Sequence, residues 1–123
     1  MSKPIFEDLF LFEGRRNRKS YFLYLMTVSA LSTLLSIVLV PIALGTGGIG
    51  MALFALYLPI AVSAWAVGSQ RCRDFGWTGW IVLISAVPLI GFVFALALLF
   101  VPGTIGANMY GDDPLGQPEL IVV

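Results

Sequence analysis

Three long stretches of the chain carry no charged side chain: Tyr21–Leu44, Ile49–Ser69 and Trp77–Val101, of 24, 21 and 25 residues. A helix needs about 20 residues to cross a hydrocarbon core of roughly 30 Å, so each is long enough. Inside lipid the backbone must satisfy its own hydrogen bonds, which makes the α-helix the default for such runs. None has the period-2 alternation of barrel strands. The pattern predicts an all-α integral membrane protein with three transmembrane helices, at about 21–44, 49–69 and 77–101. Residues 1–19 then form a short N-terminal segment, 20–101 the membrane domain, and 102–123 a tail.

The joints sharpen this reading. "GTGGIG", residues 45–50, holds four glycines in six positions. It predicts a left-handed helix end at Gly45 and a tight turn, making spans one and two antiparallel neighbours. Pro88 lies near the middle of the third run, with Gly91 after it. Proline removes a backbone hydrogen bond and clashes with the preceding turn, so the expectation is one helix kinked at Pro88. The alternative is a re-entrant hairpin bent at "VPLIG". Its arms of about 12 residues would reach roughly 18 Å at 1.5 Å per residue, too short to cross on their own. Pro59 is expected to kink span two, and Pro41 to do little. The tail, "PGTIGANMYGDDPLGQPELIVV", carries Pro102, Pro114 and Pro118 and reads as irregular rather than as a fourth span.

Composition agrees with a bilayer as solvent. Hydrophobic residues make up 59 % of the 123, above the roughly 45–50 % of soluble domains, and mean hydropathy is +0.94. Seven basic and seven acidic residues cancel, so bulk charge points to no nucleic-acid partner. The distribution says more than the sum. Three spans put the N-terminus and the 70–76 loop on one side, with the 45–50 loop and the tail on the other. Lys3, Arg15, Arg16, Arg18, Lys19, Arg71 and Arg73 all fall on the first side; the second has Asp112, Asp113 and Glu119. Short loops rich in Lys and Arg stay in the cytoplasm, so the N-terminus is expected inside and the tail outside. Tyr21, Tyr24, Trp77 and Trp80 lie at the cytoplasmic starts of spans one and three, where amphipathic rings prefer the headgroup level. The first apolar run is longer than the roughly 7–15 residues of a signal-peptide core, so it reads as a retained anchor.

Candidate chemistry is sparse. Cys72 is the sole cysteine and there is no histidine. That excludes an internal disulfide and removes the usual general base and the commonest transition-metal ligand. Charge concentrates in "EGRRNRKSYFLY", residues 13–24, and "QRCRDFGWTGW", residues 70–80, which emerge on the same face. Arg15, Arg18, Arg71 and Arg73, with Trp77 and Trp80, form a candidate collar for an anion or lipid headgroup, because arginine forks suit phosphate. A purely topological account uses the same residues: the arginines hold the loop inside and the tryptophans anchor span three. Gly76 and Gly79 allow close approach of backbone or ligand. Asp74 is three residues from Arg71, a helical spacing at which side chains meet, and predicts an ion pair closing the loop, which Arg73 or Glu13 could share. As a catalytic acid it lacks a second group nearby. "YGDDP", residues 110–114, offers two carboxylates without a third and is ordinary turn chemistry, not a metal site. Ser29, Ser32 and Ser36 with Thr33, and Ala64 with Gly68, are small residues at helical spacing that let helices approach closely, within one chain or across a homodimer. No ionisable residue lies inside any span, which counts against a transport lane.

Three motifs carry a family resemblance. "FEGRRNRKSYFLY" resembles a Gly-Arg-x-x-Arg-x-x-(aromatic) entry to a first span, placing Gly14, Arg15, Arg18 and Tyr21 or Phe22. "SQRCRDFGWTGW" resembles an Arg-Arg-Leu-His-Asp-x-Gly-x-(Ser/Thr)-Gly-Trp loop, placing Arg71 or Cys72 at the first basic positions, then Arg73, Asp74, Gly76, Gly79 and Trp80. "PGTIGANMYGDDP" resembles a Pro-Gly-x-x-Gly-x-Asn-x-Tyr-Gly-x-Asp-Pro tail, placing Pro102, Gly103, Gly106, Asn108, Tyr110, Gly111, Asp113 and Pro114. Over about residues 10–115 the chain resembles the YhaH-like bacterial inner-membrane family, domain-of-unknown-function family 805. The resemblance implies a multi-pass protein of the bacterial inner (plasma) membrane with a periplasmic tail, and implies no activity. The family often has His before the loop aspartate; Arg73 stands there in this chain, which counts against proton transfer at that position. The expectation is a protein with no catalytic set, cofactor or metal. It would act as a non-enzymatic module that binds a partner protein or anionic lipid through the basic collar. A small oligomeric transporter or channel subunit is the alternative.

Overall fold

The computed structural model describes residues 3–116. Helix α1 spans Arg18–Gly45. A 3-10 helix, Ile49–Leu56, leads into α2, Tyr57–Asp74. A second 3-10 helix, Gly79–Ala86, precedes α3, Ile90–Phe100. Among the described residues the one β feature is an isolated bridge between Asn108 and Gly111.

Two stretches are long and apolar enough to cross a bilayer, Arg18–Gly45 and Ile49–Asp74. Their apolar side chains point outward: Leu34, Ile37 and Leu58 are each about 65 % exposed. A soluble core helix would bury such residues, so these two helices are built to face lipid. The turn between them uses Gly47 and Gly48, at φ +64° and +108°. The helix runs through Gly45 and ends on Thr46, so the left-handed end falls two residues later than expected. Pro59 does not kink the middle of a span. It falls in the first turn of α2, where its missing N–H costs no helical bond, and marks the change from 3-10 to α geometry.

The third run departs from the expected kinked span. It is a hairpin of two short helical arms, Gly79–Ala86 and Ile90–Phe100. The chain breaks at Val87–Leu89, with Leu89 at φ +66°, and reverses. Pro88 cannot continue the helical hydrogen bonding, and Gly91 lets the returning arm press against Ser85. A Cβ on Gly91 would lie 2.5 Å from the Ser85 carbonyl oxygen. Each arm reaches roughly 16 Å from its residue count and rise, about half a hydrocarbon core. The first arm packs on α2 at Gly68, where a Cβ would fall 2.7 Å from Val82 Cγ2. Tyr21, Tyr24, Val67, Cys72, Val82, Phe94 and Leu98 make the apolar centre of this packing.

The hairpin changes which end of the molecule carries the tail. With three spans the tail would lie opposite the N-terminus. With two crossing-length helices and a hairpin it returns to the end that holds the N-terminal segment and the end of α2. The Thr104 amide donates to the Asp74 carbonyl at 2.6 Å. Its described part, residues 102–116, has no helix or strand and lies at that end of the molecule. Pro118 and Glu119 lie outside the described residues.

Candidate functional site

The charged end is organised inside out. Among the largest fully buried side chains are Arg16, Arg71, Gln70 and Asn17, whereas most leucines and isoleucines of the helices, Leu39 and Leu98 excepted, are on the outside. A buried guanidinium is costly unless its donors are paired. Here nearly every donor has a fixed acceptor.

Asp74, in the last turn of α2, sits between two arginines. Arg71 Nη1 lies 2.6 Å from Oδ2, and Arg15 Nη2 lies 2.9 Å from Oδ1. The remaining donors of both arginines capture backbone carbonyls. Arg15 Nη1 donates to Gly106 O at 2.6 Å, and Nη2 to Thr104 O at 2.5 Å. Arg71 Nε donates to Leu98 O at 2.7 Å and Nη2 to Val101 O. One carboxylate thus ties the N-terminal segment, α2, α3 and the tail together. Arg71 also stacks on Phe75, with Cζ 4.3 Å from the ring centre, a favourable cation–π placement. The tail can cross Asp74 only as glycine: a Cβ on Gly103 would fall 1.9 Å from Asp74 Oδ2.

A second set holds the N-terminal segment. Arg16 donates to Ser20 Oγ at 2.7 Å, to Gln70 Oε1 at 3.2 Å and to the carbonyls of Pro4, Ile5 and Glu7. Gln70 Nε2 donates to the carbonyls of Asp8 and Leu11, at 2.6 and 2.7 Å. Burial pulls the Arg16 guanidinium below its ordinary pKa, and the nearby Asp8 carboxylate opposes the shift. Residues 4–13 are thereby folded onto α1 and α2, with Phe6 and Phe10 exposed.

The expected collar splits in two. Arg15 and Arg71 are 3 % and 0 % exposed and engaged on Asp74, so an open lipid-facing role for them is corrected: they are the interior of the cap. Arg18 is exposed at the rim, donating to Phe100 O at 2.9 Å. Trp77 and Trp80 are also exposed. Glu13 makes no ion pair of 4.0 Å or less among the described residues, and neither does Arg73. Arg73 is half-buried, and its Nη1 is fully buried without a hydrogen-bond partner among the described residues.

A family model described as "Protein of unknown function (DUF805)" matches residues 9–112. The chain belongs to the DUF805 family. Two curated relatives from Escherichia coli (strain K12) are similar to it. Inner membrane protein YhaI is 29 % identical over 104 residues, covering 84 % of this chain and 85 % of the relative. Inner membrane protein YhaH is 28 % identical over 110 residues, covering 87 % and 89 %. No solved structure is significantly similar. The matched stretch of this DUF805 chain contains the whole cap, from Arg15 through Asp74 to Gly111.

Sequence reasoning singled out Arg15, Arg71 and Asp74 but missed Arg16, Asn17 and Gln70 as site residues. Arg16 and Gln70 capture main-chain carbonyls, and carbonyl capture leaves no residue pattern. The one available signal was the segment before α1, whose carbonyls at Pro4, Ile5, Glu7, Asp8 and Leu11 need donors once folded against the helices.

Proposed function

We propose that this DUF805 chain is a non-enzymatic inner-membrane module whose charged end faces the cytoplasm and binds anionic lipid or a partner protein at the rim of the cap. One observation carries the reading. Every Lys and Arg lies at one end of the molecule, and neither the Gly45–Gly50 turn nor the hairpin tip at residues 87–89 has a charged side chain. Short basic segments stay in the cytoplasm, so the reading now puts both termini inside. Arg18 and Lys19, exposed at the start of α1, stand where basic residues attract an anionic leaflet. The cap itself supports binding rather than chemistry, because Asp74 is engaged by two arginines and Asp113 near it is held by the Gly106 amide.

Paired reporter fusions test the orientation. A fluorescent protein at either terminus should be bright in cells, and alkaline phosphatase at either terminus inactive. An active phosphatase at the C-terminus, with a bright N-terminal fusion, would refute the two-crossing arrangement.

A further inference from the structure

A cavity of about 500 Å³ opens beside the cap, lined by Phe12, Trp65, Arg73, Thr78, Trp80 and Tyr110 among others. That volume falls in the range of small-molecule sites. Its walls are not uniform. Trp65 and Arg73 are eight residues apart on α2, two steps of four, and therefore share a helix face. The cavity runs along that face for roughly 12 Å at 1.5 Å per residue, from a cation near the membrane surface to an indole deeper in the bilayer. Phe12 meets Trp65 edge-on, with ring centres 6.1 Å apart, and closes the deep part. Thr78 and Tyr110 add hydroxyl groups to the lining.

Arg73 is the unsatisfied element. Asp74 is taken by Arg15 and Arg71, so the neighbouring guanidinium has no counter-charge within ion-pairing distance among the described residues. Its buried Nη1 has no hydrogen-bond partner there. Burying an unpaired cation is strongly unfavourable, and the positive charge is spread over the whole guanidinium. Gly79 makes room for it: a Cβ there would fall 2.6 Å from Arg73 Nη2 and 2.9 Å from Cζ. The loop thus holds, at the polar end of an aromatic-walled cavity, a cation that forms no ion pair among the described residues and whose one nearby acid, Glu13, acts only from beyond pairing distance.

We infer that this cavity holds an anionic phospholipid, with its headgroup on Arg73 and its first chain carbons against Trp65 and Trp80. The inference deepens the lipid-binding reading above and rests on it. The polarity gradient along α2 fits an amphiphile, anionic at one end and apolar at the other. A soluble anion would leave the aromatic part of the cavity without an occupant.

Native mass spectrometry of the full chain, released from detergent after mixing with equimolar phosphatidylglycerol and phosphatidylcholine, tests this. The parent should retain phosphatidylglycerol by more than about tenfold, the scale of a charge-assisted hydrogen bond. Arg73→Gln should abolish that preference. Gly79→Ala keeps every charge but displaces the guanidinium, and should abolish it too. Lys19→Gln should lower it by only about fivefold or less, the effect of one basic residue near an anionic leaflet. Inorganic phosphate at the same concentration should not displace the lipid. Thermal unfolding of Arg73→Gln should match the parent, since this side chain donates no hydrogen bond that the fold uses. If Arg73→Gln and Lys19→Gln weaken retention equally, and Gly79→Ala not at all, the site is refuted and only rim attraction is left. No preference in the parent refutes both readings. Displacement by inorganic phosphate alone refutes the lipid assignment.

Discussion

Replacing Asp74 by Asn tests the cap most directly. The side chain keeps its size, but the negative charge between Arg15 and Arg71 is lost. One carboxylate oxygen becomes an NH₂ donor facing an arginine donor. The three side chains are 5 %, 1 % and 0 % exposed, so water cannot take over the lost contact. Removing one partner of a buried ion pair costs about 3–5 kcal/mol. Both arginines keep their carbonyl acceptors in the tail and α3, which places the expected loss near the lower end, about 3 kcal/mol. Unfolding by sodium dodecyl sulfate in mixed micelles, followed by circular dichroism, reads the difference. Adding Arg15→Gln to Asp74→Asn should cost less than the two single losses summed, because the second change removes a cation that the first left unpaired. An Asp74→Asn protein that unfolds within about 0.5 kcal/mol of the parent would refute the view that this carboxylate holds the cap together, since surface substitutions commonly stay in that range.

Two further substitutions probe other joints. Gly103→Ala places a methyl group 1.9 Å from Asp74 Oδ2, so the tail should detach; hydrogen exchange at the Thr104 amide should rise to the rate of an open backbone while α1 keeps its protection. Tyr24→Phe removes the 2.9 Å bond to Ser63 between α1 and α2 and should cost only about 0.6 kcal/mol, the mean for such bonds in membranes, in the same micellar assay.

Helix positions were readable in the sequence because absence of charge over twenty residues has one structural solution in lipid. The third run was harder. Its length allowed a span, and composition alone does not separate a kinked helix from a hairpin of the same residues. Gly91 admits the close return of the second arm against Ser85, a contact that no spacing rule encodes. The place of the tail follows from the same turn, because the end of α3 lies against Arg71 in the last turn of α2. Arg71 and Asp74 were legible as neighbours because they share a helix turn. Arg15 and Asp74, 59 positions apart, were on the same face in the sequence reading, but nothing there showed that they touch. Nor did it show that the arginines face inward. Clusters of Arg beside an apolar run look alike whether they meet lipid headgroups or backbone carbonyls.

The glycine crossing over Asp74 also orders events in time. Arg15 and Gly106 are 91 positions apart, and synthesis at about 5–20 residues per second separates their appearance by roughly 5–18 s. During that interval α1 and α2 are complete, yet Arg15 and Arg71 lack the carbonyl acceptors of α3 and the tail. The seal forms when the last part of the chain arrives and threads Gly103 past the carboxylate. A nascent chain cut short before that point has Asp74 for the two arginines but lacks the Thr104 and Gly106 carbonyls that Arg15 engages in the folded protein.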